Sequence, residues 1–259
     1  MKKILMLACA FLSSVFLFGA TEEERLLKLA EDNTAFYGKD FKGFYYIVQD
    51  KPGEGRSITE ATMYRRDSEN KWVILVTGPA SDAGKGYLQY DGTIWFFDPA
   101  DHRFTFSSAK DKFQGTNANN SDFTPQHYYR DYSIEKTEDV KLGKFECTLF
   151  TLKAKTDKVD YPMLKLWVTE DGLVRKKEDY SLSGQLLRTT AIPSYQKVTD
   201  KDDVYLVPSK MLISDNLRGK KIEGKLKFEQ TQITITGIGF EKQPVTVYTK
   251  QYLEMMSPR

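Results

Sequence analysis

The alternation of apolar and polar positions along this chain is that of strands for most of its length, preceded by one helical stretch. Thr21-Glu22-Glu23-Glu24 forms a capping-box pattern, a hydroxyl followed three residues on by a carboxylate. Leu26, Leu27, Leu29 and Ala30 then recur at helical spacing, predicting an amphipathic helix from Thr21 to about Phe36. Beyond it, residues 41–51, 57–66, 72–77, 86–90, 93–98 and 103–107 are rich in aromatic and β-branched side chains. A second series covers 144–153, 163–169, 173–182, 185–197, 205–215, 221–236 and 245–253. Asp91-Gly92 between two aromatic runs predicts a two-residue hairpin, and Glu170-Asp171-Gly172 and Leu182-Ser183-Gly184 mark further turns. Short loops imply antiparallel neighbours, and the absence of strand–helix–strand alternation argues against a parallel sheet.

Two irregularities refine the expectation. The runs Phe44-Tyr45-Tyr46-Ile47-Val48 and Trp72-Val73-Ile74-Leu75-Val76 are apolar at every position, so both faces of these strands are covered. A two-sheet sandwich or a curved sheet with a covered inner face would satisfy this. Leu226 and Phe228 lie in opposite phase to Ile233 and Ile235, which predicts a bulge or sharp bend in that strand region. Between the two series, Ser107 to His127 is polar, with Asn117, Asn119, Asn120 and Asp122, and apolar only at Phe113, Phe123 and Pro125. A stretch of this length without strand signal reads as a lid or binding loop. Tyr128–Tyr132 follows as a short helical turn.

The N-terminus changes the picture of where the protein works. Lys2 and Lys3 precede an apolar run from Ile4 to Phe18, then Gly19 and Ala20, then an abruptly polar segment. This is the order of an export signal cleaved near Ala20. The run is short for a membrane span, and Cys9 is poorly placed for acylation. Removal of such a signal leaves Cys147 alone, a small core residue with no disulfide partner. Lys and Arg number 38 against 36 Asp and Glu, and without Lys2 and Lys3 the balance is even. Nothing in that balance favours nucleic acid.

Motifs of catalysis and metal binding are missing from the sequence. It contains no H-E-x-x-H, C-x-x-C or G-x-S-x-G. Residues 78–86 superficially resemble a phosphate-binding loop but place five residues between glycines and Gly86 where Ser or Thr belongs. Asp98, Asp101 and His102 share one turn and read as turn chemistry. Asp160, Glu170 and Asp171 could act as paired carboxylates only if the fold joined them. The chain is read as neither an enzyme nor a cofactor protein.

Several ordered blocks resemble a known family: Gly84-Lys85-Gly86-Tyr87-Leu88, Ile94-Trp95-Phe96-Phe97-Asp98-Pro99, Arg103-Phe104, Phe113-Gln114-Gly115-Thr116, Ser121-Asp122-Phe123, Asp131-Tyr132, Leu166-Trp167-Val168, Lys177–Ser181 and Gly184–Leu187. Together they resemble the periplasmic outer-membrane lipoprotein-sorting proteins, the LolA-like group. The resemblance implies a mainly β fold: an unclosed antiparallel β-barrel, a strongly curved sheet with a helical and loop lid, as a single domain over residues 21–259. It implies a monomeric periplasmic carrier that shelters acyl chains of a lipoprotein or other envelope lipid. Its partners would be an inner-membrane transporter as donor and an outer-membrane acceptor. An arginine near the end of the second strand holds the lid in that group, and Arg65 and Arg66 occupy the comparable place, although the proline that follows it there is absent. The cavity candidates are Phe44, Tyr46, Leu75, Leu88, Trp95, Phe97, Leu166 and Val168, with Phe113 and Phe123 on the lid. The competing reading is an envelope interaction or exporter-accessory module with a packed core and no lipid site. The mature protein is expected to begin within a few residues of Ala20, which N-terminal sequencing of the exported chain checks; retention of Met1, or a lipid on Cys9, contradicts it.

Overall fold

The computed structural model describes residues 19–257, so the expected export signal, apart from Gly19 and Ala20, and Cys9 with it lie outside the described residues. The chain opens with α1 (Glu22–Asp32). Thr21 Oγ1 accepts the Glu24 N–H at 3.2 Å, and the Glu24 carboxylate accepts the Thr21 N–H at 2.9 Å. The helix ends four residues before the expected boundary, because Phe36 turns inward onto Phe41 and Phe240.

Six strands follow: β1 (Phe41–Lys51), β2 (Gly55–Arg66), β3 (Lys71–Gly78), β4 (Gly86–Tyr90), β5 (Thr93–Asp98) and β6 (Arg103–Ser107). A crossing segment containing α2 (Tyr128–Asp131) leads to β7 (Tyr132–Leu142), β8 (Phe145–Ala154), β9 (Met163–Val168), β10 (Val174–Tyr180), β11 (Leu186–Asp200), β12 (Asp203–Ile222) and β13 (Lys225–Gly239). The chain closes with a 3-10 turn at Val245–Tyr248 and α3 (Lys250–Met256). All thirteen strands form one antiparallel sheet in the order β6-β5-β4-β3-β2-β1-β13-β12-β11-β10-β9-β8-β7. The sandwich is thereby excluded, and the fold is the expected curved, unclosed sheet. Asp91 and Gly92 both adopt positive φ, as the hairpin between β4 and β5 requires. The irregularity expected within the strand of Leu226 and Ile233 falls instead on its neighbour: β13 is continuous there, and the extra residues lie between Asp215 and Gly219 on β12.

Three segments depart from expectation. Strand β7 was not anticipated; it is an edge strand carrying Glu135, Lys136, Glu138, Asp139 and Lys141, and such charges hide a strand signal while blocking edge pairing. Residues 245–253 are not a strand. Val245 is exposed while Val247, Tyr248 and Leu253 are buried, so the apolar side chains follow a helical turn. The polar segment 108–127 is not a solvated loop: Phe113, Asn117, Ala118 and Asn120 are fully buried.

The core is divided by the sheet. Its inner face carries two clusters, one around Tyr45, Ile47, Trp72, Ile74, Ile233 and Ile235, the other around Phe150, Leu164, Leu166 and Val168 beneath Leu27 and Ala30 of α1. The outer face of β3–β5 carries a third, where Val73, Leu75, Leu88 and Phe97 meet Val247, Tyr248 and Leu253. Helix α1 is seated at its C-terminal end on the β9–β10 turn, where Asn33 Nδ2 donates to the carbonyls of Asp171 and Gly172 at 3.1 Å. Gly172 has φ +74°, and a Cβ there would stand 2.5 Å from Leu29 Cγ. Gly172→Ala should therefore destabilise by more than about 1 kcal/mol, from the left-handed backbone and the clash together. Thermal melting checks this; an unchanged melting temperature contradicts the seating of α1.

Candidate functional site

A cavity of about 100 Å³ lies between the inner face and the crossing segment. Its walls are Phe41 and Tyr45 of β1, Val174 and Lys177 of β10, Thr190, Ile192 and Tyr195 of β11, Val207 and Met211 of β12, and Ile233 and Ile235 of β13. Phe36 and Thr34, after α1, and Phe123, Thr124, Gln126 and Tyr128 form its roof. A second cavity of about 180 Å³, more open and more polar, adjoins it and shares Thr124, Gln126, Tyr128 and Lys177. The register explains the lining. Tyr45 pairs with Ile235 and Ile47 with Ile233, so directly opposed residues share the inner face.

That register sets the placement of each sequence-derived candidate. Phe44 and Tyr46 alternate with the buried Phe41, Tyr45 and Ile47 and point to the outer face, half-buried. Leu75, Leu88 and Phe97 lie in the outer cluster under the C-terminal segment. Trp95 shares the outer face with Phe97, with Lys250 Nζ 3.5 Å above its ring. These six do not line the cavity. Their strands are apolar on both sides because two layers cover them, so composition could not reveal the phase; Tyr45, Ile74, Ile94 and Phe96 are the inner-facing residues. Leu166 and Val168 do face inward but lie beneath α1, beside the cavity rather than in its wall. Phe123 forms part of the roof, its ring 4.9 Å from that of Phe113 and 5.7 Å from that of Tyr45.

The two arginines diverge. Arg65 lines the cavity rim, donating to the Thr34 carbonyl at 2.9 Å and to both Asp67 oxygens. Its guanidinium lies over Phe36 and Phe41, which fixes the chain leaving α1. Arg66 reaches the opposite side: it grips Asp40 through two hydrogen bonds, donates to the Gln243 carbonyl at 2.7 Å, and stacks on Tyr248. It fastens the C-terminal segment and does not touch the roof.

The crossing segment is held from below by polar groups that sequence reasoning missed. The Asn117 N–H donates to Thr231 Oγ1 at 2.8 Å and Gln49 Oε1 at 3.2 Å, and Asn119 Nδ2 donates to the Tyr161 hydroxyl at 3.0 Å. Arg188, on β11, binds Asp122 through both terminal nitrogens at 2.5 and 2.9 Å, while its Nε donates to Asp179 at 2.9 Å. All three side chains are buried. Burial alone would raise the pKa of the Asp122 carboxyl, but the charges of Arg188 and Lys177 hold it below the ordinary value. Burial likewise pushes Tyr45 up to about 12, so its hydroxyl stays neutral. The only signal in the sequence was charge placed within otherwise inward-facing positions of a strand. Asp160 precedes β9 and Glu170 and Asp171 follow it, so a strand of roughly 20 Å keeps those carboxylates apart. Asp98, Asp101 and His102 form the β5–β6 turn, with Asp98 accepting the Ala100 N–H.

A family model described as an uncharacterized protein matches residues 68–255. No curated protein matches the chain in sequence. Among solved structures, a LolA superfamily protein from Nitrosomonas europaea is 20% identical, covers 90% of this chain and 100% of its own, and superposes with a TM-score of 0.70. A domain assigned to outer membrane lipoprotein sorting in Vibrio parahaemolyticus is 14% identical, with 89% and 97% coverage and a TM-score of 0.73. A DUF1329 family protein from Desulfovibrio piger is 16% identical, with 89% and 98% coverage and a TM-score of 0.72.

The Arg66–Asp40 pair gives a pH signature. Burial opposes ionisation of Asp40, but hydrogen bonds from Arg66 and the Gln243 N–H hold its pKa below the ordinary 3.8. Folding thus lowers this pKa, so the pair's contribution is full above the unfolded value and is lost as pH falls through the folded one. Asp40→Asn should cost about 3–5 kcal/mol at neutral pH. In melts followed from pH 7 downward, the gap to the unaltered protein should narrow only below about pH 4; a gap constant into acid contradicts the assignment.

Proposed function

This chain belongs to that family, which is LolA-like, and from the lidded apolar cavity on its inner face we propose that it is a periplasmic carrier of acyl chains rather than an enzyme. The carrying observation is that an apolar pocket is roofed by a segment held through replaceable polar bonds rather than by continuous strand pairing. The cargo class is the acylated part of a lipoprotein or another envelope lipid, received from an inner-membrane donor and passed toward an outer-membrane acceptor. The export signal supports the compartment, and the LolA-like architecture supports the route.

Size decides how cargo would enter. At about 100 Å³ the cavity is smaller than the roughly 150 Å³ that admits one benzene molecule. A long chain therefore enters only by displacing Phe123 and its neighbours. Sheltering a chain gains about 0.8 kcal/mol per methylene, roughly 10 kcal/mol gross for a long one. Lifting the roof must offset much of that gain, which keeps release within reach. The small volume of this cavity favours a second reading, an envelope interaction module with a packed core.

Two substitutions separate these readings. Phe123→Ala should lower stability by about 3–5 kcal/mol while tightening binding of a fluorescent fatty-acid probe, since the space it leaves is acyl-shaped. Phe97→Ala, on the outer face, should lose similar stability with probe affinity unchanged. Probe affinity that is absent or unchanged in Phe123→Ala supports the packed module. Lipid extraction and native mass spectrometry of protein taken from its own envelope should show bound acyl lipid.

A further inference from the structure

The roof carries a carboxylate where a cargo headgroup would bind. Asp122 immediately precedes Phe123, lines the cavity, and forms the two-point pair with Arg188. Arg188 and Asp179 are opposed on β11 and β10, and the next inward pair along the same strands is Thr190 and Lys177. Lys177 Nζ stands 3.4 Å from Asp179, and both Lys177 and Thr190 line the cavity. In the closed state two cations face two carboxylates in a buried group. Two oxygens of the group are buried without a hydrogen-bond partner: Thr190 Oγ1 at the cavity wall, and Asp179 Oδ1, which has only the ion pair with Lys177.

Displacing Phe123 to admit a chain also withdraws Asp122. That removes one negative charge and leaves Arg188, Lys177 and a single Asp179 around the opened cavity. Uncompensated buried charge is costly unless another anion replaces the lost one. A guanidinium with two terminal nitrogens freed side by side suits a planar carboxylate or a phosphate. Resting on the carrier reading above, we propose that Asp122 is a built-in stand-in for the anionic headgroup of the cargo, and that Arg188, with Lys177 and Thr190 beside it, receives that headgroup when the roof opens. The cargo class is thereby narrowed to an amphiphile bearing a carboxylate or phosphate at the end of its chain, and neutral acyl compounds are disfavoured.

Calorimetry on the mature protein tests this with oleate, oleyl alcohol and inorganic phosphate. The unaltered protein should bind oleate more tightly than the alcohol. Asp122→Asn should widen that preference at least tenfold, because the competing charge is gone while the cation remains. Arg188→Gln should reduce the preference to near unity while the alcohol still binds. Should Arg188→Gln fail to fold, Asp122→Asn decides alone, since it keeps Arg188 paired with Asp179. An oleate-to-alcohol ratio unchanged in Asp122→Asn overturns the headgroup site even if both amphiphiles bind, leaving the carrier reading intact. Binding of neither amphiphile by any form overturns the carrier reading and this proposal with it. Inorganic phosphate binding as tightly as oleate would assign Arg188 to a free anion and overturn the lipid assignment.

Discussion

Strands β6 and β7 are consecutive in sequence yet occupy opposite edges of a thirteen-stranded sheet. The segment joining them must therefore cross the whole sheet, and it crosses on the inner face. Everything at the site follows from that span. The crossing chain has no strand neighbour for most of its length, so its backbone groups need other partners wherever they are buried. The sheet supplies Thr231 and Gln49 for the Asn117 N–H and Arg188 for the Asp122 carboxylate, while the segment's own Asp111 accepts the Ser108 N–H and the Ser107 hydroxyl. Part of the segment's polar chemistry is satisfied locally: Asn120 Nδ2 donates to the Ser107 hydroxyl and the Ser108 carbonyl, and Asp122 accepts the Asn119 N–H.

This arrangement differs in kind from the fastening of the C-terminal segment on the outer face. There, Val247 and Leu253 pack directly into the outer cluster, and a Cβ on Gly86 would stand only 2.4 Å from Leu253 Cδ2. Contact of that closeness comes apart only at the cost of a cavity. The crossing segment combines two aromatic anchors with hydrogen bonds and ion pairs, which water or an incoming polar group can replace. The outer face is thus closed by packing together with the buried Arg66–Asp40 pair, and the inner face by two aromatic anchors together with hydrogen bonds and the Arg188 pair. Cys147, free and buried with its thiol pKa raised by burial, takes no part in either.

How far the sequence foretold this depends on the kind of signal. Local chemistry carried through: the Thr21 capping box, the Asp91-Gly92 hairpin and the phase change that became the β12–β13 irregularity were each specified by a few neighbouring residues. Phase within strands apolar on both faces was not specified. Phe44 and Phe97 are cavity candidates by resemblance, whereas their equally aromatic neighbours Tyr45 and Phe96 are the ones that face inward. For Phe97 a second covering layer decides, and that layer is residues 245–256, whose β-branched content reads as strand. Polarity misled in the opposite direction at 108–127, where Asn and Asp serve buried turns. Arg188 and Asp122 lie 66 residues apart, and no local pattern joins them.

The likeness to solved structures at 14–20% identity is one of architecture, with TM-scores of 0.70–0.73. An architecture can persist while side chains change, so long as the edge-to-edge crossing is kept and something fastens it. In this chain the duties of the strand-end arginine pair are divided: Arg65 secures the chain between α1 and the cavity, and Arg66 secures the C-terminus through Asp40 and Tyr248. The crossing segment is held by Thr231, Gln49, Tyr161 and Arg188, the last reaching it from the far half of the sheet. Opening at Arg188 would leave the Arg65 and Arg66 contacts in place, whereas Gln126, Tyr129 and Arg130 donate to Thr34 and Glu31, so the part of the roof beyond Phe123 stays tied to α1. The C-terminal segment is thus fastened independently of the Arg188–Asp122 pair, while the roof shares its fastening between Arg188 and α1.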